Sequence, residues 1–395
     1  MSVPLDLPEL SADEAAHSAE LVARVREVIT KAGGWIDFAQ FMQLALYSPG
    51  LGYYSAGARK FGAAGDFITA PEVAPVFSRC LAVQCAEVLR HLGAPDACIL
   101  ELGAGSGVMA AELLAELERQ GTVPAEYLIL DLSADLRERQ RATLKQAVPH
   151  LLNRVRWLDS LPEESFAGLV IANEVLDALT VQRFAIRQGE VNALGVSDEF
   201  GRLVLAEVRG GERLVAAVRQ IERDTGLKLP DGYESEVCLG LSPWLGAIGA
   251  SLERGVMLFV DYGLPRREYY SPERTRGTLL CHFRHRFHED ALTRVGLQDI
   301  TAWVDFTAVA AAAEDAGFDV SGYTTQAHFL IGAGLGDFVA NVEGLDLVRR
   351  LNLSRQAMVL TLPGEMGERF KVIALSRDYD APLRGFATRD LRHTL

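Results

Sequence analysis

The segment Cys98-Ile99-Leu100-Glu101-Leu102-Gly103-Ala104-Gly105-Ser106-Gly107 limits the folds open to this chain more than any other stretch. An apolar run ends near an acid, and three glycines follow at alternate positions. Val108-Met109-Ala110-Ala111-Glu112-Leu113-Leu114 then repeats apolar residues at helical spacing. The pattern reads as strand, tight turn and helix. Glycine permits a sharp turn and a close ligand approach that a Cβ would block. A nucleotide-like ligand fits against such a loop and the amides that open the next helix. The spacing departs from the dinucleotide fingerprint G-x-G-x-x-G/A. The third glycine comes one position early, and Val108 stands where that pattern needs Gly or Ala.

From residue 99 onward, apolar runs alternate with helical patterns, which predicts an α/β fold with a parallel sheet covered on both faces. Strands are expected at 99–102, 127–131, 154–158, 169–173 and 256–261. Their ends collect Glu101, Asp131, Asp159, Asn173, Glu174 and Asp261. In open α/β sheets, ligands sit off those carboxyl ends. The segment 369–375 is the expected last strand, placed antiparallel. Residues 1–95 read as a mainly helical N-terminal region with a Gly-rich, aromatic loop. Between 181 and 240 the sequence alternates like antiparallel strands, and 241–253 returns as a helix. The expected domains are therefore 1–95, a core of 96–180 with 254–395, and an inserted β-rich lobe at 181–253.

At 395 residues the chain exceeds the usual size of a single core. With 49% apolar residues it has ample material to bury. It carries 39 Lys and Arg against 53 Asp and Glu, a formal charge of −14 with no basic cluster, which argues against nucleic acid as a partner. Its five cysteines form no C-x-x-C pair, which suits reduced thiols in a cytosol. The first twenty residues carry Asp6, Glu9, Asp13, Glu14 and Glu20 and resemble neither a secretory signal nor a mitochondrial presequence. The most apolar stretch, 239–252, contains Pro243 and is too short to span a bilayer. No membrane insertion and a cytoplasmic location are expected. Nothing in the sequence sets an oligomeric state.

The E-x-G-x-G-x-G of residues 101–107 resembles motif I of the class I S-adenosylmethionine (SAM) methyltransferases. In that family the loop wraps the methionine end of SAM, and an acid after the second strand binds the ribose hydroxyls. Asp131, closing Tyr127-Leu128-Ile129-Leu130-Asp131, stands in that place. Further motifs follow the same order: Gly-Tyr-Tyr at 52–54, Gly-Asp-Phe-Ile-Thr-Ala-Pro-Glu at 65–72, Asp-Leu-Ser at 131–133 and Ala-Asn-Glu-Val-Leu-Asp-Ala-Leu at 172–179. Asp-Tyr-Gly at 261–263 and Met-Gly-Glu-Arg-Phe at 366–370 complete the set. Together they are similar to the MidA family, SAM-dependent methyltransferases whose eukaryotic members are mitochondrial complex I assembly factors. The resemblance covers nearly the whole chain. It implies a Rossmann-like class I core, SAM as cofactor, and symmetric dimethylation of arginine on a protein such as a respiratory complex I subunit. With the strand-end clustering, the expected cofactor set is Glu101, Gly103, Gly105, Gly107, Asp131, Asp159 and Asn173. Thr180 departs from a proline common in relatives. The lack of a presequence points to a bacterial member.

Methyl transfer from a sulfonium is an in-line displacement, so positioning the acceptor supplies much of the rate. A guanidinium is held in its plane by carboxylates. Glu174 and Asp177, three apart on an expected first helical turn, would share a face and are the expected catalytic pair. Asp66, Thr69 and Glu72 of the N-terminal loop, with Asp261, are expected on the substrate or lid side. In Cys281-His282-Phe283-Arg284-His285-Arg286-Phe287-His288, three histidines at intervals of three invite a zinc reading. Two interleaved arginines and the lack of a second ligand cluster oppose it, so no metal is expected and His285 is read as part of a substrate-side loop. Two alternatives compete with arginine methylation: transfer to a small-molecule acceptor, and a SAM-binding assembly factor without enzymatic activity. The Asn173-Glu174-Val175-Leu176 sequence lacks the Pro-Pro-aromatic element of nucleic-acid amino-methyltransferases.

Overall fold

The apolar runs become strands, of which the central ones are covered on both faces. Cys98–Leu102 (β1) is buried at all five positions, and Tyr127–Leu130 (β2) at its first three. Val155–Leu158 (β3), Phe166–Asn173 (β4), Leu252–Leu264 (β5), Asp319–Thr325 (β6) and Phe370–Arg377 (β7) complete the path. The computed structural model describes residues 7–56, 69–93, 95–340 and 346–395.

The strands lie in the order β6-β7-β5-β4-β1-β2-β3. Five of them, β1 to β5, pair in parallel, and β1 and β2 are neighbours with Ile99 opposite Tyr127. β7 runs antiparallel between β5 and β6. This is the doubly wound sheet expected from the strand-helix alternation, with its last strand reversed. Pro75–Leu92 (α1), Val108–Arg119 (α2) and Ala134–Ala147 (α3) accompany the sheet. Phe77, Leu81 and Leu89 of α1 share one apolar cluster with Leu113 and Leu117 of α2, and with Ile99, Ile129 and Ile171 of the strands.

The chain divides into two units. One gathers the described residues of Ile68–Leu176, Ser242–Leu264 and Phe306–Leu395 and contains this sheet. The other gathers those of Met1–Phe67, Asp177–Leu241 and Pro265–Asp305. The division differs from the expected domain boundaries, since residues 69–93 cluster with the sheet and 265–305 with the N-terminal segment.

In the second unit, Ala12–Lys31 is a helix begun by a capping box between Ser11 and Glu14, and it buries Leu21, Val25 and Ile29. Asp37 caps the helix Phe38–Tyr47 in the same way through Gln40. An antiparallel sheet pairs Trp35–Asp37 with Glu190–Glu199, which also pairs Gln182–Arg187 and Arg202–Arg209. Within 181–240 these strands and Glu234–Val237 form, with the helix Glu212–Thr225 lying between the last two of them. Trp35–Asp37, inside a region read as mainly helical, adds a strand to the sheet.

Candidate active site

β1 delivers Glu101 and then turns sharply. Gly103, Gly105 and Gly107 have φ of 63°, 53° and 81°, in the left-handed region that side chains disfavour. Two of them also lack room. A Cβ on Gly103 would lie 3.0 Å from Val175 Cγ2, and one on Gly107 would lie 2.9 Å from the Gln140 Cα. Gly107 is the N-cap of α2 and offers no side-chain cap to its first amides.

Glu101 is fully buried. Its Oε2 accepts a 2.7 Å bond from the Tyr127 hydroxyl, while its Oε1 has no hydrogen-bond partner. Burial pushes the carboxyl up to about 8; the Tyr127 bond opposes the shift and the nearby Asp131 charge adds to it. Glu72 lies on the short helix Ala70–Val73, and burial raises its pKa while the nearby Ser106 of the glycine turn opposes the shift. Thr69 is the N-cap of that helix and makes no side-chain capping bond. Asp66 lies outside the described residues.

Asp131 follows β2 directly. Its Oδ1 accepts the Ser133 amide at 3.0 Å and its Oδ2 accepts Gln140 Nε2 at 2.9 Å. Arg137 donates through Nε to the Asp131 carbonyl at 2.8 Å and through Nη2 to the Leu158 carbonyl at 2.7 Å. Its Nη1 reaches Asp159 Oδ1 at 2.5 Å. The Asp159 side chain is otherwise 93% exposed.

At the end of β4, Asn173 Nδ2 donates to Glu174 Oε1 at 3.0 Å, and the buried Asn173 Oδ1 has no partner. Glu174 has φ 55° and donates its amide to the Val260 carbonyl at 2.9 Å. Asp261 of β5 accepts the Val175 and Leu176 amides on Oδ2, at 3.2 and 2.9 Å. The expected helical turn carrying Glu174 and Asp177 does not form. The backbone bends at Glu174, and the Asp177 carbonyl accepts the Ala302 amide at 3.1 Å instead of a helical one. The shared-face argument for the pair therefore fails. The unit division falls between Leu176 and Asp177.

In its own unit, Asp177 is buried. The Tyr47 hydroxyl donates to the neighbouring Ala178 carbonyl at 2.7 Å, and burial raises the Tyr47 pKa, with the Asp299 and Asp177 charges adding to it. His285 has φ 60° and is exposed at the turn between the paired strands Leu280–Phe283 and Arg286–His288. Among the described residues, no group of three His, Cys, Asp or Glu side chains is placed to hold a metal ion.

The sheet unit thus joins a glycine turn with Glu101, Glu72 and Asp131, and Val175 brings the Asn173–Glu174 turn against Gly103. A turn with glycine at 103, 105 and 107, ringed by carboxylates, suits a ligand bearing positive charge and vicinal hydroxyls. Glu101 Oε1 is buried and has no hydrogen-bond partner in the protein. Sequence reasoning passed over Tyr127, Arg137 and Gln140. For Gln140 a signal exists: it stands between Leu136 and Leu144 as the polar member of the buried stripe of α3.

This sheet order and glycine turn define a class I SAM-dependent methyltransferase. The chain belongs to the family whose model is described as "Putative S-adenosyl-L-methionine-dependent methyltransferase", which matches residues 80–324. A crystal structure of a Burkholderia thailandensis protein bound to S-adenosyl-homocysteine is 43% identical. It superposes with a TM-score of 0.93 over 99% of this chain and 100% of that one. A Drosophila melanogaster relative, named as a mitochondrial protein arginine methyltransferase NDUFAF7 homolog, is 28% identical over 95% of this chain and 89% of its own length. The Homo sapiens protein arginine methyltransferase NDUFAF7 is 26% identical over 87% and 81%. Among the described residues, no helix is long and apolar enough to cross a membrane.

Proposed function

We propose that this chain methylates arginine side chains of a protein, forming symmetric dimethylarginine, and that a respiratory complex I subunit is the kind of substrate it takes. Relatives named as protein arginine methyltransferases align over most of its length, which supports the acceptor class. The observation that carries the reading is Glu174. Its carboxylate stands at the sheet's carboxyl edge, bonded by Asn173, on a turn that packs its next residue against Gly103.

SAM, when bound, supplies a methyl group on a positively charged sulfur. Gly103, Gly105 and Gly107 would admit its methionine end, with the Glu101 Oε1 facing the positive charge and Asp131 the ribose hydroxyls. Asp159 and Asn173 are assigned to the cofactor side, Asp159 acting through Arg137. Glu174 would hold the guanidinium in plane, so that one nitrogen bonds the methyl carbon as the carbon–sulfur bond breaks, its electron pair staying on sulfur and the nitrogen's proton passing to solvent. Asp177 is a second acceptor-side carboxylate, tested by its own variant. Glu72, Thr69, Asp66, Asp261 and His285 are carried as substrate-side or lid residues. Asp261 already has a structural task, since it holds the Val175 and Leu176 amides. A cytoplasmic location accords with five free cysteines.

Single-turnover methylation with radiolabelled SAM, using a lysate lacking the endogenous enzyme, tests the reading. Glu174→Gln keeps the size and removes the charge. Transfer should fall roughly tenfold, about 1.4 kcal/mol of transition-state stabilisation, with SAM affinity little changed. Full turnover by folded Glu174→Gln and Asp177→Asn would end the assignment.

A further inference from the structure

We propose that Gln140 is the positioning residue of the cofactor site, fixing at once the Asp131 carboxylate and the glycine turn. The proposal rests on the reading of Asp131 as the ribose-binding acid. Gln140 is fully buried on α3 and uses both ends of its amide. Its Nε2 donates to Asp131 Oδ2 at 2.9 Å and to the Gly105 carbonyl at 3.0 Å. Its Oε1 accepts the Trp157 indole N–H at 3.0 Å.

The chemistry leaves one orientation. An indole nitrogen only donates, so the amide oxygen must face Trp157, and the NH₂ must then face the carboxylate and the carbonyl. The same residue makes the steric wall of the turn, because a Cβ on Gly107 would strike its Cα. Gln140 therefore ties the turn after β1 to the acid after β2, and Trp157 of β3 anchors it. Ser133 holds the other Asp131 oxygen. Held at both oxygens, the carboxylate keeps a fixed plane in which to meet a vicinal diol.

A glutamine here differs from an apolar residue of equal size in a testable way. Gln140→Leu removes both donors and should weaken SAM binding about tenfold at every pH, a change of about 1.4 kcal/mol. Gln140→Glu keeps one O–H donor while protonated; ionised, it has none and faces Asp131 with a like charge. Its SAM affinity should therefore be close to that of the parent at low pH and fall about tenfold or more as the new carboxyl ionises. A residue that only fills space would give no such pH profile beyond that of the parent protein. Trp157→Phe leaves the amide but removes its anchor and should cost about threefold.

The measurement is calorimetric titration of SAM into the full chain, across pH, for the parent, Asp131→Ala and these three variants, with folding checked by thermal melting. If Asp131→Ala binds SAM as the parent does, the cofactor-site reading fails. If Asp131→Ala weakens binding while Gln140→Leu does not and Gln140→Glu follows the parent's pH profile, the inference about Gln140 fails. Should neither Gln140 variant fold, Trp157→Phe decides: unchanged affinity overturns the proposal and a loss of about threefold supports it.

Discussion

The Tyr127 hydroxyl donates a 2.7 Å hydrogen bond to Glu101, and both side chains are completely buried at the centre of the parallel sheet. Burial has raised the Glu101 pKa from an ordinary 4.5 to about 8. A carboxyl whose folded pKa is raised binds more protons folded than unfolded. Its contribution is fully present below about 4.5 and is lost as pH rises towards about 8. Stability of the ligand-free protein should fall across that window by up to about 1.4 kcal/mol per pH unit. Glu101→Gln should remove this slope. Urea denaturation at several pH values checks it, and equal slopes in the two proteins would refute it.

Tyr127→Phe deletes only the hydroxyl and leaves a buried carboxyl without its donor. The expected cost is about 1–3 kcal/mol. Because the lost bond had lowered the Glu101 pKa, the pH window of the preceding experiment should also move upward. Unchanged stability and an unmoved window would show that the bond contributes nothing.

Gly107→Ala meets two obstacles, a φ of 81° and the Gln140 Cα 2.9 Å from the new Cβ. Gly121, with φ 66° and nothing within 4 Å, meets only the first. Gly121→Ala should cost about 1 kcal/mol, and Gly107→Ala clearly more, about 2–4 kcal/mol, by denaturant melting. Equal costs would mean that the contact with α3 relaxes freely.

Asp261→Ala should leave the Val175 and Leu176 amides without their acceptor and loosen the Glu174 turn. A loss of about 2–3 kcal/mol is expected, with Asp261→Asn costing less because one acceptor oxygen remains. Chemical denaturation of both variants reads this directly. Equal losses would contradict the ordering.

Much of this architecture was legible because its signals are local. The apolar runs of β1 to β5 have polar residues at or beside their ends, and the three glycines at 103, 105 and 107 announce a turn by composition alone. Glu174 shows the limit. Its acids looked like a helix start, yet its backbone is set by the Val260 carbonyl and the Asp261 carboxylate, both more than eighty positions away. The role of Gln140 was likewise hidden in sequence distance, since it meets Gly105 and Trp157 only once α3 has packed. Trp35–Asp37 is a strand because Glu190–Glu199 offers it an edge, which three residues cannot disclose.

The central claim is that this methyltransferase modifies arginine in protein. The most direct test is to incubate the chain with radiolabelled SAM and a lysate lacking the endogenous enzyme, hydrolyse the labelled protein completely, and separate its amino acids. The account predicts label in symmetric dimethylarginine and its loss with Glu174→Gln. Label confined to small molecules or to another amino acid, or no label above a SAM-only control, would contradict it.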